Sequence, residues 1–318
     1  MKKILSVLLP LVLCCACGCA DTQENKDTRF LLDTVVTLTA DCDDKTLDAA
    51  FSLCQKYERL LSRTETDSDV SRLNSSQGFC EVSEDTRKIV EKGVYYGALS
   101  DGKFDITIYP VSTLWDFNGE VIPNRDEISE ALKNIDYQSV EINDNSINLN
   151  GKKIDLGGIA KGYIADRVRD YFIDSNVPEG IIDLGGNIIV FGDRDYTVGV
   201  KKPFSDGEII AAIKLRNKSV VTAGVYERYI EQDGKIYHHI LDPKTGVSCE
   251  SDLYSATVIS DSSLDCDALS TVCVLMGHKN AAALIENTPD TEAIFVDSKS
   301  NVYYTSGIKK QNDVFCLK

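Results

Sequence analysis

From residue 180 to 260 the sequence carries strand signal with few interruptions. Short runs rich in β-branched residues lie at 180–191, 196–201, 208–215, 219–223, 226–231 and 254–260. Helical periodicity is confined to the segments before and after this block. A doubly wound parallel sheet needs strand and helix in alternation, because each parallel pair requires a crossover. The blocks therefore predict an α+β fold with mainly antiparallel sheet. The chain has 318 residues, 43% of them hydrophobic, enough for one large domain or two intimate lobes.

The other elements are read in the same way. Phe30–Ala40 is β-rich, with Val36, Leu38 and Ala40 alternating. Apolar positions Leu47, Ala50, Phe51, Cys54, Tyr57, Leu60 and Leu61 predict a helix over 44–61, with an Asp as its cap. Residues 62–80 are polar and irregular, and a second helix is predicted over 83–100. DGKFDITIYPVSTLWDF reads as a turn and an extended apolar run, and 126–134 as a short helix. Asn143-Asp144-Asn145-Ser146 predicts a hairpin between 140–142 and 147–149. Helices near 265–276 and 279–287 precede two last strands.

The N-terminus, MKKILSVLLPLVLCCACGCA, has a positive Lys2-Lys3 pair and an apolar run from Ile4 to Leu13. That run is shorter than the roughly 20 residues a spanning helix needs, so it reads as an export signal. A Cys after a small residue is a lipoprotein cleavage pattern. Residues 1–19 are thus a lipoprotein signal peptide with Cys19, or alternatively Cys17, as the lipidated residue. Residues 20–28 read as a polar tether and 29–318 as the functional domain. The expected location is outside the cell interior, lipid-anchored on the outer side of the cytoplasmic membrane.

Four of the 11 cysteines (14, 15, 17 and 19) lie in the leader. The others show no CxxC spacing, which argues against a disulfide framework or a structural zinc and for buried thiols acting as small hydrophobes. The formal charge is −16, from 34 Lys plus Arg against 50 Asp plus Glu. Such a body repels a nucleic-acid backbone. Any phosphate it binds must be held by backbone N–H groups, one or two local cations, or a metal.

Three segments carry candidate chemistry. In Asp155-Leu-Gly-Gly158-Ile-Ala-Lys161-Gly162 a strand would end, turn and open a helix near Ile159. A helix N-terminus attracts anions, and Lys161 would add a charge. Neither GxxxxGK[ST] nor GxGxxG is present, so a simple glycine turn packing helix on strand is an equal reading of the spacing. Asp183-Leu-Gly-Gly186 echoes the motif but runs into a strand. In Asp265–Thr271, Asp267 and Thr271 stand at i and i+4 on one helix face. A carboxylate and a hydroxyl suit a hard cation such as Mg²⁺, although an Asp near a helix start is often only a cap. In His238-His239-Ile-Leu-Asp242-Pro-Lys-Thr-Gly246, alternation on a strand would turn one of two adjacent histidines inward as a base, and two ordinary strand histidines are an equal reading of the segment.

FDITIYPVSTLWDF, DLGGIAKGYIADRV, DLGGNI, VVTAGVYERYI, HHILDPKTG and CDALSTVCVLMG occur in this order. Together they resemble the ApbE family of FAD:protein FMN transferases, over about residues 29–310. The resemblance implies a two-lobed α+β fold with a ligand cleft between the lobes. It implies Mg²⁺-dependent transfer of FMN from FAD to a threonine of an acceptor protein, a subunit of a membrane redox complex, with release of AMP. Carried over, Asp267, Thr271 and the Gly158 carbonyl would hold the metal. Leu32, Lys103, Phe104, Asp105, Asp155, Lys161 and Leu241 would contact FAD, and His239 would be the catalytic base. Apart from the resemblance, Asp242, three residues on, is read as orienting that ring. The chain departs from the family pattern at Thr64, where many members have Tyr, and at Ala223, where many have Ser. Hydrolysis of FAD to FMN and AMP on the same scaffold, or flavin binding without chemistry, are the alternatives.

Overall fold

The computed structural model describes residues 24–311 and 314–318. The leader, with Cys17 and Cys19, lies outside the described residues. An eight-stranded sheet dominates, in the order β1-β2-β6-β7-β10-β13-β14-β15. Its strands are β1 (Glu24–Leu31), β2 (Thr34–Asp41), β6 (Gly180–Leu184), β7 (Asn187–Phe191), β10 (Lys218–Gly224), β13 (Leu253–Ser260), β14 (Glu292–Asp297) and β15 (Val302–Tyr304). Every neighbouring pair in it is antiparallel. The α+β, mainly antiparallel expectation therefore holds.

The sequences of β6 and β7, GIIDL and NIIVF, are buried at every position. Both faces of the sheet are covered, so these strands lack polar alternation. One face takes the helices α1 (Asp44–Leu61), α6 (Ala160–Asp174) and α7 (Ser263–Met276), with Phe51, Cys54, Ile164, Phe172, Leu269 and Cys273 in the shared core. The other takes a smaller sheet of β16 (Ile308–Gln311), β17 (Val314–Leu317), β9 (Ile209–Leu215) and β8 (Tyr196–Lys201). Ile181, Ile188, Val190, Val198, Ile213, Val220 and Phe315 fill the space between. The thiols of Cys54 and Cys266 are pushed up to about 12 by burial, so they act as packing groups.

The remaining elements form the outer wall of a cleft. They are α2 (Asp69–Ser75), α3 (Glu84–Leu99), α4 (Tyr109–Ser112) and α5 (Arg125–Leu132), with a small sheet of β3 (Cys80–Glu81), β5 (Ser146–Asn148) and β4 (Glu141–Asn143). A hairpin of β11 (Tyr229–Gln232) and β12 (Lys235–His238) stands apart, and α8 (His278–Glu286) follows α7. A separate apolar cluster of Val111, Trp115, Ile128 and Leu241 ties this wall to the DPKTG turn. The Trp115 indole N–H donates to the Gly246 carbonyl at 3.1 Å.

Several sequence expectations are corrected. Residues 24–28, read as tether, belong to β1. Their polar character reflects an edge strand that faces solvent on one side and pairs with β2 on the other. The run Phe30–Ala40 is broken by a two-residue turn at Leu32-Asp33, both left-handed with φ of 56° and 54°. The run 180–191 is a hairpin, folded at Gly185-Gly186. The segment 105–112, read as extended, is helical. The Asp105 carboxylate accepts from Thr107 N at 2.7 Å and caps a short 3-10 turn. Pro110 then sits in the first turn of α4, where its fixed φ suits a helix and its missing N–H costs nothing.

Candidate active site

Where α6 meets α7, the backbones approach too closely for a side chain. A Cβ added at Gly162 would lie 2.2 Å from the Ser263 carbonyl oxygen. The contact lets the Gly162 N–H donate to Asp267 Oδ2 at 2.8 Å. Gly162 is in the first turn of α6, whose N–H groups have no helical partner. Asp267 thus caps α6 from another helix. Ile159 and Ala160 N–H both go to the Leu156 carbonyl, at 3.0 and 2.9 Å. Asp267 is only 6% exposed. Burial pushes its carboxyl above the usual range, and Lys161 and the Gly162 N–H pull it back.

The turn before α6 is fixed by its own aspartate. Asp155 Oδ1 accepts from Gly157 N at 2.9 Å, while Oδ2 takes Arg63 Nη1 at 2.9 Å and Ser112 Oγ at 2.8 Å. The echo at 183–186 uses the same device, since Asp183 Oδ1 accepts from Gly185 N and Gly186 N at 3.0 and 3.1 Å. The two turns share the aspartate cap but differ in backbone, since Gly185 and Gly186 have φ of 68° and 103° and the glycines at 157 and 158 have no positive φ. Asn74 of α2 clamps the first from outside, its amide exchanging hydrogen bonds with Ile154 N and O at 2.7 and 2.9 Å. Gly158 faces the Phe104 ring, and a Cβ there would come within 3.1 Å of it. Ser100 Oγ holds Phe104 N at 2.9 Å and so sets the position of that ring.

The cleft these parts enclose has a volume of about 750 Å³. Asp242 does not line it, whereas Leu32, Lys103, Phe104, Asp105, Asp155, Gly158, Lys161, His239, Leu241, Asp267 and Thr271 all do. They do not all offer free atoms. Both Asp105 oxygens serve the loop, Oδ1 to Thr107 and Oδ2 to Tyr137 N, so its side chain organises the wall. Asp155 is similarly committed. Leu32 presents a strained backbone whose N–H donates to Glu58 Oε1 at 2.6 Å.

β12 ends at His238, which is buried, and His239 just beyond it is partly buried and lines the cleft. Its ring is oriented from a different quarter than expected. Asp242 spends its carboxylate on Lys244 N, at 2.7 Å, inside the DPKTG turn. His239 Nδ1 instead meets the Arg228 carbonyl at 3.3 Å. A carbonyl only accepts, so Nδ1 carries the proton and Nε2 has the lone pair. The surrounding protein and the Arg228 charge hold the ring's pKa down to about 3, so the ring is neutral at ordinary pH.

Sequence reasoning missed Arg63, Ser112, Arg228 and Asn187 as parts of this site. Asn187 sat in plain view in DLGGN. It is 2% exposed, lines the cleft, and sets its side-chain amide beside the Asp267 carboxylate, which it helps to hold charged. No group of three or more His, Cys, Asp or Glu is arranged for a metal among the described residues. A cation beside Asp267 would complete its shell from hydroxyl, carbonyl, water and phosphate oxygens, a donor set that Mg²⁺ favours.

The mainly antiparallel sheet with helices on one face and a cleft beside it mark an α+β protein of enzyme type. A model of the ApbE family matches residues 32–295, and the chain belongs to that family. It is 36% identical over 273 residues to the FAD:protein FMN transferase of Klebsiella pneumoniae (strain 342), covering 83% of this chain and 86% of that one. It is 31% identical over 288 residues to the FAD:protein FMN transferase of Treponema pallidum (strain Nichols), covering 82% and 80%. The crystal structure of the ApbE protein from Thermotoga maritima superposes with a TM-score of 0.82 at 31% identity, covering 89% of this chain and 97% of that one.

Proposed function

We propose that this chain moves FMN from FAD to a threonine hydroxyl of an acceptor protein, with Mg²⁺, releasing AMP. The observation that carries the reading is that His239, its Nδ1 against the Arg228 carbonyl, lines the same cleft as Lys161 and Asp267. FAD carries two negative phosphates that an attacking oxygen must approach. Lys161 is suited to the pyrophosphate oxygens, with the buried Asn187 amide beside the Asp267 carboxylate. Asp267, Thr271 and the Gly158 carbonyl would hold the cation, which neutralises pyrophosphate charge when bound.

In the transfer the acceptor hydroxyl gives its proton to His239 Nε2, and its oxygen attacks the phosphorus of the FMN half. The bond from that phosphorus to the bridging oxygen breaks, and AMP leaves with the electron pair. The imidazolium returns the proton to the leaving phosphate or to solvent. A positioned base contributes roughly 10²–10⁴-fold when its pKa lies near the working pH, and a ring held down to about 3 supplies the lower end of that range. Lys161 stabilises charge where it develops.

The acceptor is inferred to be a subunit of a membrane redox complex. The leader supports export and attachment through Cys19 to the outer side of the cytoplasmic membrane. The reading is tested by incubating the protein with FAD, Mg²⁺ and a co-expressed flavin-acceptor domain. A mass gain equal to FMN, mapped to threonine, supports it. Intact FAD with no adduct overturns it, and AMP release without adduct assigns hydrolysis instead.

A further inference from the structure

The loop between β8 and β9 holds Phe204 in a left-handed conformation, φ 54°, which bulky side chains rarely adopt. The loop is closed beneath it. Lys202 N donates to the Glu208 carbonyl at 2.8 Å, the two side chains pair at 2.6 Å, and Ser205 Oγ donates to the Lys202 carbonyl at 2.8 Å. The strain presents the Phe204 ring, 39% exposed, to three tyrosines. Tyr254 and Tyr229 meet it edge-on at 5.2 and 5.3 Å, and Tyr226 at 6.2 Å. Tyr229 is itself 41% exposed. The rings form an uncharged aromatic platform that the cleft chemistry does not use.

The platform is continuous with the site. Glu227 and Arg228, between Tyr226 and Tyr229, line the cleft. The Arg228 carbonyl accepts from His239 N at 3.1 Å and contacts its ring. Tyr229 pairs with His238 across the β11–β12 hairpin. β11 has β12 as its one strand neighbour among the described residues, so its second edge offers main-chain donors and acceptors.

We infer that this platform docks the acceptor protein, through an extended uncharged stretch flanking the residue that receives the FMN. The inference rests on the transfer reading above. FAD would fill the cleft interior, so the incoming hydroxyl must reach His239 from outside, and the platform adjoins the backbone that orients that ring. Aromatic faces grip such a stretch with little entropy loss.

The test uses Phe204→Gly, which suits the left-handed backbone, and Tyr229→Thr, which keeps strand propensity. With an acceptor domain that the wild type flavinylates, both variants should raise KM for the acceptor about tenfold or more. The FAD dissociation constant and kcat at saturating acceptor should stay within about twofold, as expected where only docking contacts are lost. An unchanged KM in both variants overturns the inference while leaving transfer intact. A wild type that forms no adduct overturns the transfer reading, and the inference falls with it. If wild type sediments as a dimer that both variants dissociate, with KM unchanged, the surface belongs to a second copy and the proposal is wrong.

Discussion

The Asp267 carboxylate on α7 accepts the N–H of Gly162, in the first turn of α6, at 2.8 Å. One oxygen thus anchors two helices, while Lys161 and the Asn187 amide help to hold the buried carboxylate charged. The same side chain is structural, and in the reading proposed above it also meets the cation.

Two replacements separate those duties. Asp267→Asn keeps an oxygen for Gly162 and removes the charge. It should fold with little change in melting temperature yet bind Mg²⁺ at least tenfold more weakly, read by calorimetric titration with FAD present. Asp267→Ala also leaves a buried N–H unpaired, and should cost about 1–3 kcal/mol in urea unfolding. Equal Mg²⁺ affinity in wild type and Asp267→Asn contradicts the metal assignment.

Gly162→Ala sets two effects against each other. Alanine improves helix propensity by about 1 kcal/mol. The added Cβ meets the Ser263 carbonyl at 2.2 Å, a backbone atom that cannot swing aside. Overpacking of this kind costs typically 1–3 kcal/mol, and here it also stretches the Asp267 bond. The variant should be net destabilised by about 1–3 kcal/mol, and a stability equal to wild type would refute the close approach.

The histidines make a pH prediction with a definite sign. Burial holds the pKa of His238 down to about 4; burial, reinforced by Arg228, holds that of His239 down to about 3. The unfolded chain takes up these protons near pH 6.5. Their contribution is therefore present above about pH 6.5 and lost as the pH falls from there toward the folded values. Protonation of His239 should not limit kcat/KM for FAD until well below about pH 5, because the free-enzyme limb reports its folded pKa. An acid limb near 6.5 that tracks the His239 ring signal in NMR would count against this.

Arg63 joins Asp155 in a pair whose arginine is 40% exposed. Pairs of that exposure contribute no more than about 1 kcal/mol. Arg63→Met should leave the melting temperature nearly unchanged but loosen the turn that carries Gly158. The expected outcome is a KM for FAD raised several-fold. A large stability loss with unchanged KM would make Arg63 structural.

Much of this architecture was legible from pattern. The α1 span 44–61 matched the periodicity of its apolar positions, and the residues of the cleft were found by motif order. The misses share a cause: tertiary partners decide them. Leu32-Asp33 makes a turn without the Gly or Asn that usually signals one, because β1 and β2 pair on either side. Residues 105–112 coil where alternation suggests extension, because Asp105 and Pro110 set local geometry. Arg228 acts through its carbonyl, which no side-chain pattern reveals, and Asp242, the obvious partner by type, is consumed by its own turn.

The bond between Gly162 and Asp267 spans 105 positions of sequence. The glycine turn and Lys161 thus lie far along the chain from the residue that caps their helix. In a fragment ending before residue 263, the first turn of α6 would lack that cap, and the segment carrying Lys161 would be the first to fray.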